Sequence, residues 1–177
     1  MTVAYTRNRA AGRRRTIRWV VTLSAAGVLL FSLTEFLSYR ARVRHNQSGE
    51  SIHALTTDIL QYAQDHGGTL PPMKDWTTLK GAVWPYAKSD AAFRSYDDNT
   101  HVFLPNPNLS QKKLSAVNKL TVLLYESEPS KADNSRWIAF LLENALPSAF
   151  GGDPDLIGLK LVKEAEWQKL KVAKGIP

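Results

Sequence analysis

WVVTLSAAGVLLFSLTEFL, residues 19–37, is a run of nineteen positions with one ionisable member, Glu35. As a helix rising about 1.5 Å per residue it is roughly 28 Å long, close to the roughly 30 Å hydrocarbon core of a bilayer. So apolar a run is not stable unburied in water. The spacing predicts a single transmembrane helix over 19–39. It divides the chain into a short tail, residues 1–18, and a polar region, residues 40–177, the size of one ordinary domain.

Working outward, the charges sort by region. The formal net charge of +7 and pI of 9.7 would, taken whole, suggest a nucleic-acid binder. The basicity belongs to the flanks of the apolar run. Arg7, Arg9, Arg13, Arg14, Arg15 and Arg18 precede it with no acid among them, and Arg40, Arg42 and Arg44 follow it. From His45 onward 14 basic residues face 15 acidic ones, which removes the electrostatic argument for nucleic acid. Six arginines before the helix against three after it predict a cytoplasmic N-terminus and an extracytoplasmic, periplasmic domain in the inner membrane of a two-membrane cell.

A cleavable signal peptide is the main rival. The run ends in Thr34, Glu35, Phe36, Leu37, Ser38, Tyr39 and Arg40, with no small-x-small cut site. Its length exceeds the usual signal core of about 7–15 residues, so an uncleaved anchor is expected. The Arg14-Arg15 pair lacks the neighbours of a twin-arginine signal. Ser24, Ala25, Ala26 and Gly27 form a small-residue patch suited to close helix approach. Two roles stay open for Glu35: an interfacial acid reaching the headgroups, or an ion pair with a neighbouring membrane subunit. The run holds no His, Cys or Met, so it offers no axial haem ligand and no cofactor is expected.

Downstream, Ile52, Leu55, Ile59, Leu60 and Ala63 recur at helical spacing, a stripe ended by Gly67, Gly68, Pro71 and Pro72. Between this stripe and the apolar run, the helix either restarts after Asn46, Gln47, Ser48 and Gly49 or runs through with a kink near Gly49. A second helix is expected over 76–87. Strands are expected over 101–104, 120–125, 137–142 and 156–162, since these runs are short and rich in β-branched and aromatic residues. Their links are too short for helical crossovers, which favours an antiparallel meander. A closing helix is expected over 164–172, and 137–146 reads alternatively as helix. The fold class is α+β.

Six segments carry a resemblance: YAQDHGGTLPP (62–72), WPYAK (84–88), FRSYDDN (93–99), PNPNLSQKKLS (105–115), TVLLYESEP (121–129) and EAEWQKLK (164–171). In this order the chain resembles bacterial prepilin-type, pilin-like proteins over roughly 55–171. The resemblance implies a long N-terminal helix whose lower half packs on a small antiparallel sheet, without enzymatic activity. Three departures matter. Ser95 and Tyr96 stand where a Cys-Pro step is common, and the chain has no cysteine at all. Gly158, Leu159 and Lys160 stand where an Asp-Gly-His motif is frequent. Arginines follow Gly12, where a processing glycine would open the apolar helix, and the helix acid lies at its far end. The chain thus resembles a pilin-like, pseudopilin-like protein with a degenerate processing site.

Catalytic chemistry finds little to assemble. His45, His53, His66 and His101 are scattered, with no second ligand at i+4, and are expected at the surface. Asp65-His66 is expected to cap a helix. The pairs Glu126/Glu128, Asp97/Asp98 and Asp153/Asp155 are the candidates for calcium, which a loop binds in some secretion pseudopilins, but they lack the Asp-x-Asp-x-Asp-Gly pattern of a dedicated loop. No metal, cofactor or small-molecule substrate is expected. Trp76, Trp84 and the turn at 105–109 are candidate partner contacts, Trp84 reading equally as core. The expectation is a non-catalytic single-pass subunit docking on a larger membrane complex of secretion, respiratory or photosynthetic type. Its contacts are Ser24, Gly27 and Glu35 in the helix, the basic flanks in lipid and the external domain. The alternative is a minor pilin or pseudopilin of a type IV pilus or type II secretion system.

Overall fold

The computed structural model describes residues 3–87, 89–95, 102–118, 120–131, 133–142 and 157–177, the side chains of 3–23 and 25 excepted. The chain divides into two compact units, Met1–Arg40 and Ala41–Pro177. Helix α1, Val3–Asp65, is 63 residues long and contains no proline. It does not restart at 46–49: α1 carries through Asn46, Gln47, Ser48 and Gly49. Gly49 is there for space rather than flexibility, since a Cβ on it would lie 2.8 Å from Cε2 of Trp137. The helix stops where expected. Gly67 and Gly68 take positive φ, 62° and 80°, and the Gly68 N–H donates to the Ala63 carbonyl at 2.7 Å, a left-handed C-terminal cap.

Helix α2, Trp76–Ala87, starts at a reciprocal cap. The Thr78 N–H donates to Asp75 Oδ1 at 2.8 Å, and the Asp75 N–H donates to Thr78 Oγ1 at 3.1 Å. Four strands follow: β1 (Phe103–Pro105), β2 (Val122–Glu126), β3 (Ser135–Leu141) and β4 (Ile157–Lys163). They form one antiparallel sheet in the order β1-β2-β3-β4, the expected meander. Residues 137–141 are therefore strand, not helix. The β2–β3 register shifts between Val122 and Leu124, a bulge that lets Leu123 and Leu124 both reach the same core. Helix α3, Glu164–Ala173, follows β4 directly.

The sheet of the second unit is covered on both faces. On one, Ile52, Leu55, Ile59 and Ala63 of α1 meet Leu79 and Val83 of α2, together with Phe93, Phe103, Leu124, Ala139 and Leu141. On the other, Trp167 of α3 and Ile176 pack on Val122, Tyr125, Ile138 and Val162. Each fully buried Leu or Ile contributes about 1.5–3 kcal/mol, and with no cysteine in the chain these two cores stand in place of a disulfide.

The expectation of a transmembrane helix over 19–39 meets a limit. Among the described residues no helix is long and apolar enough to cross a membrane. The side chains of residues 19–23 and 25, part of the apolar run, lie outside those described.

Candidate functional site

Three places deserve a functional reading, and α1 supplies the first. Val28, Leu29, Leu30 and Phe31 occupy four consecutive positions, which point in every direction around a helix, and each is 65–70% exposed. Leu33, Phe36, Leu37 and Tyr39 are exposed too. A helix apolar all round is one that something else surrounds. Ser24 and Glu35 are exposed on the same helix, and nothing lies within 4 Å of where a Gly27 Cβ would sit. Arg40, Arg42 and Arg44 are exposed, with the Arg40 guanidinium 5.7 Å from the centre of the Phe36 ring. Arg13, Arg14, Arg15 and Arg18 lie in α1, their side chains outside the described set.

The second place is a small aromatic surface on α2. Trp76 is half-buried, packed against the first core and edge-on to Phe93 with centroids 6.3 Å apart. Trp84 is 42% exposed and stacks on Phe93 at 6.4 Å. Lys80, one turn from each, lays its ammonium 4.9 Å from the Trp76 ring and 5.4 Å from Trp84, and pairs with Asp90. The hydrogen bond with Lys80 holds the Asp90 carboxyl below its usual range. Of the two tryptophans named from sequence, Trp84 offers surface, while Trp76 mainly anchors α2.

The third place was not foreseen. His45, expected at the surface, is buried at 4% exposure, its ring 3.6 Å from both Glu126 and Asp133. The cause is position: His45 lies seven residues before Ile52 and fourteen before Ile59, so it continues the stripe that faces the sheet. Glu126, 1% exposed at the end of β2, accepts from Ser95 Oγ at 2.9 Å and from the Trp137 N–H at 2.8 Å. Its carboxylate oxygens thus serve the protein's own donors, and among the described residues no group of three could hold a metal ion. The pairs Asp97/Asp98 and Asp153/Asp155, and His101, lie outside the described residues. His53 is half-buried, and His66 is exposed with Nδ1 2.8 Å from the Tyr62 carbonyl, the ring stacked on Tyr62.

From this cluster charge runs across the sheet. Arg136, 5% exposed, donates to the Glu126 carbonyl at 2.7 Å and takes Glu164 at the start of α3 through Nε and Nη2 at 2.9 and 2.5 Å. Partial burial raises the Glu164 carboxyl, but the bonds from Gln168 and Arg136 outweigh it and the net direction is down. Asp133 behaves alike: burial raises it, while Ser135, Lys163 and the nearby His45 bring it below its usual range. Asp58 on α1 goes the other way, raised by burial. An open groove of about 350 Å³ lies beside the cluster, lined by Asn46, Gly49, Glu50, His53, Trp137 and Leu159.

The sequence clue to this network was available: a histidine and a serine, His45 and Ser48, sit on a core-facing stripe, and a lone acid closes the apolar TVLLY run. Comparison with family models, with curated proteins and with solved structures finds no match for this chain.

Proposed function

We propose that the protein is a non-catalytic, single-pass membrane subunit that docks on and braces a larger bacterial membrane protein complex. The observation that carries this reading is the exposed apolar surround from Val28 to Phe31, joined in sequence to the uncharged stretch that begins at Trp19. Lipid or a neighbouring membrane helix is the environment in which such side chains are stable. In this reading the N-terminus is cytoplasmic, and the α+β domain is periplasmic and pilin-like. Its partners are other integral membrane subunits and the bilayer, with no cofactor, nucleic acid or small-molecule substrate.

The helix alone gives a weak grip. An apolar helix gains little hydrophobic advantage by leaving lipid for another helix, and polar contacts there are worth about 1 kcal/mol or less. The small patch from Ser24 to Gly27 and Glu35 orient the helix, while the domain, through surfaces such as that of Trp84, supplies most of the specificity. Membrane confinement raises its local concentration.

Alkaline carbonate washing should leave the full chain in the membrane. Protease added to spheroplasts should digest the domain and spare residues 7–18. A chain released by carbonate, or a tail digested before the domain, refutes the reading. A filament subunit, the second reading, would share a long helix passing into a small sheet but must be cut. An intact mass that retains residues 1–12 argues against it.

A further inference from the structure

We propose that His45 is held as an imidazolium between Glu126 and Asp133, and that this proton is a latch fastening α1 to the sheet, which loosens as pH rises. The geometry is two-sided: Nε2 faces Glu126 Oε2 and Nδ1 faces Asp133 Oδ1, each at 3.6 Å. A neutral imidazole has one N–H and one lone pair, so either tautomer aims a lone pair at a carboxylate. At 3.6 Å neither contact is a hydrogen bond, and only the imidazolium carries a charge that both carboxylates attract. Burial sharpens the choice, because the His45 and Glu126 side chains are only 5% and 2% exposed and water screens them little.

Among the described residues, two cations of the sheet have partners of their own. Arg136 of β3 turns to the Glu126 and Ser127 carbonyls and to Glu164 of α3. Lys163 of β4 meets Asp133 Oδ2 at 3.2 Å, on the other oxygen from the one facing His45. Along α1, Arg42, Arg44 and Glu50 are exposed.

The same point holds the helix by three further contacts. Trp137 Nε1 donates to the His45 carbonyl at 2.7 Å, and its ring stands edge-on to the imidazole at 6.0 Å. Ser48 Oγ lies 2.8 Å from Ser95 Oγ, which donates to Glu126. Loss of the proton therefore strikes where α1 is tied to β2, β3 and the turn between them. A proton bound more tightly in the folded than in the unfolded chain stabilises the fold below the ordinary imidazole range, about pH 6.5. That stability is lost as pH rises through the folded ring's own titration.

The test uses the full chain in detergent micelles. Two-bond proton–nitrogen correlation spectra of ¹⁵N-histidine protein, recorded from pH 5.5 to 9, should show both His45 nitrogens protonated at pH 7.5, with the other three histidines as references. A bare nitrogen on His45 at that pH overturns the proposal. Amide exchange at Ile52 and Leu55, corrected for its intrinsic pH dependence, should quicken between pH 6 and 9. The increase should vanish in His45→Gln and shrink in Glu126→Gln. A charged ring with pH-independent opening refutes the latch. Should His45→Gln fail to fold, the wild-type spectra and Glu126→Gln decide the matter.

Discussion

Replacing Gly49 with alanine pits helix propensity against packing, and the structure says which wins. In a helix interior the change from Gly to Ala is worth about 1 kcal/mol in favour of folding. Against it, the new Cβ lies 2.8 Å from Trp137 Cε2 and 2.9 Å from Cζ2, closer than carbon atoms approach. The ring cannot swing aside without weakening its 2.7 Å bond to the His45 carbonyl. Overpacking of this kind costs about 1–3 kcal/mol, and the weakened bond about 1 more. Gly49→Ala should therefore be destabilising by about 1–3 kcal/mol. Gly81 in α2 is the control, because nothing lies within 4 Å of its Cβ site, so Gly81→Ala should stabilise by about 0.5–1 kcal/mol. Urea unfolding of the full chain in a mild detergent, read by near-ultraviolet circular dichroism, measures both. In a Trp137→Ala background the Gly49→Ala penalty should become a gain of about 1 kcal/mol. If Gly49→Ala alone is as stable as the parent, the close approach of α1 to the sheet is wrong.

Three further expectations follow from other parts of the molecule. Leu55→Ala removes a fully buried side chain from the α1 stripe and should cost about 2–5 kcal/mol in the same unfolding measurement. Because the Asp133 and Glu164 carboxyls are lowered in the folded chain, their contribution is present above the ordinary carboxylate range and is lost as pH falls below about 4; unfolding midpoints from pH 6 to 3 should fall less steeply in Asp133→Asn/Glu164→Gln than in the parent. In the proposed docking reading, exchanging residues 19–37 for an unrelated apolar span of equal length should leave the chain co-purifying with a membrane partner in mild detergent; complete loss with a folded domain would assign the decisive contact to Ser24, Gly27 or Glu35.

The elements were legible wherever one local rule governed them. Helical spacing exposed the Ile52-Leu55-Ile59 stripe, Gly67 and Gly68 marked its end, and the turn-rich link between β2 and β3 marked a hairpin. Legibility failed where two distant segments decide a residue's role. Gly49 reads as a break until Trp137 is placed against it, and His45 reads as a surface group until α1 is known to run unbroken into the stripe. Trp76 and Trp84 look equivalent in sequence, yet a quarter-turn or so of α2 separates an anchor from a surface. The network of Glu126, Arg136 and Glu164 unites three elements, and no spacing rule links positions so far apart.

The hydrogen bond from Trp137 to His45 joins residues 92 positions apart, whereas every strand of the sheet pairs with its neighbour in sequence. Those two facts set an order in time. Hairpins between consecutive strands close short loops, but the face of α1 meets Trp137 only after β3 exists. At about 5–20 residues per second, a growing chain displays His45 roughly 5–18 seconds before Trp137 has been made. Through that interval the stripe of Ile52, Leu55 and Ile59 has only part of its core, Leu79, Val83, Phe93 and Phe103 being made before β3. The long helix is thus the first element made, and it waits for β3 before its contact with Trp137 can form.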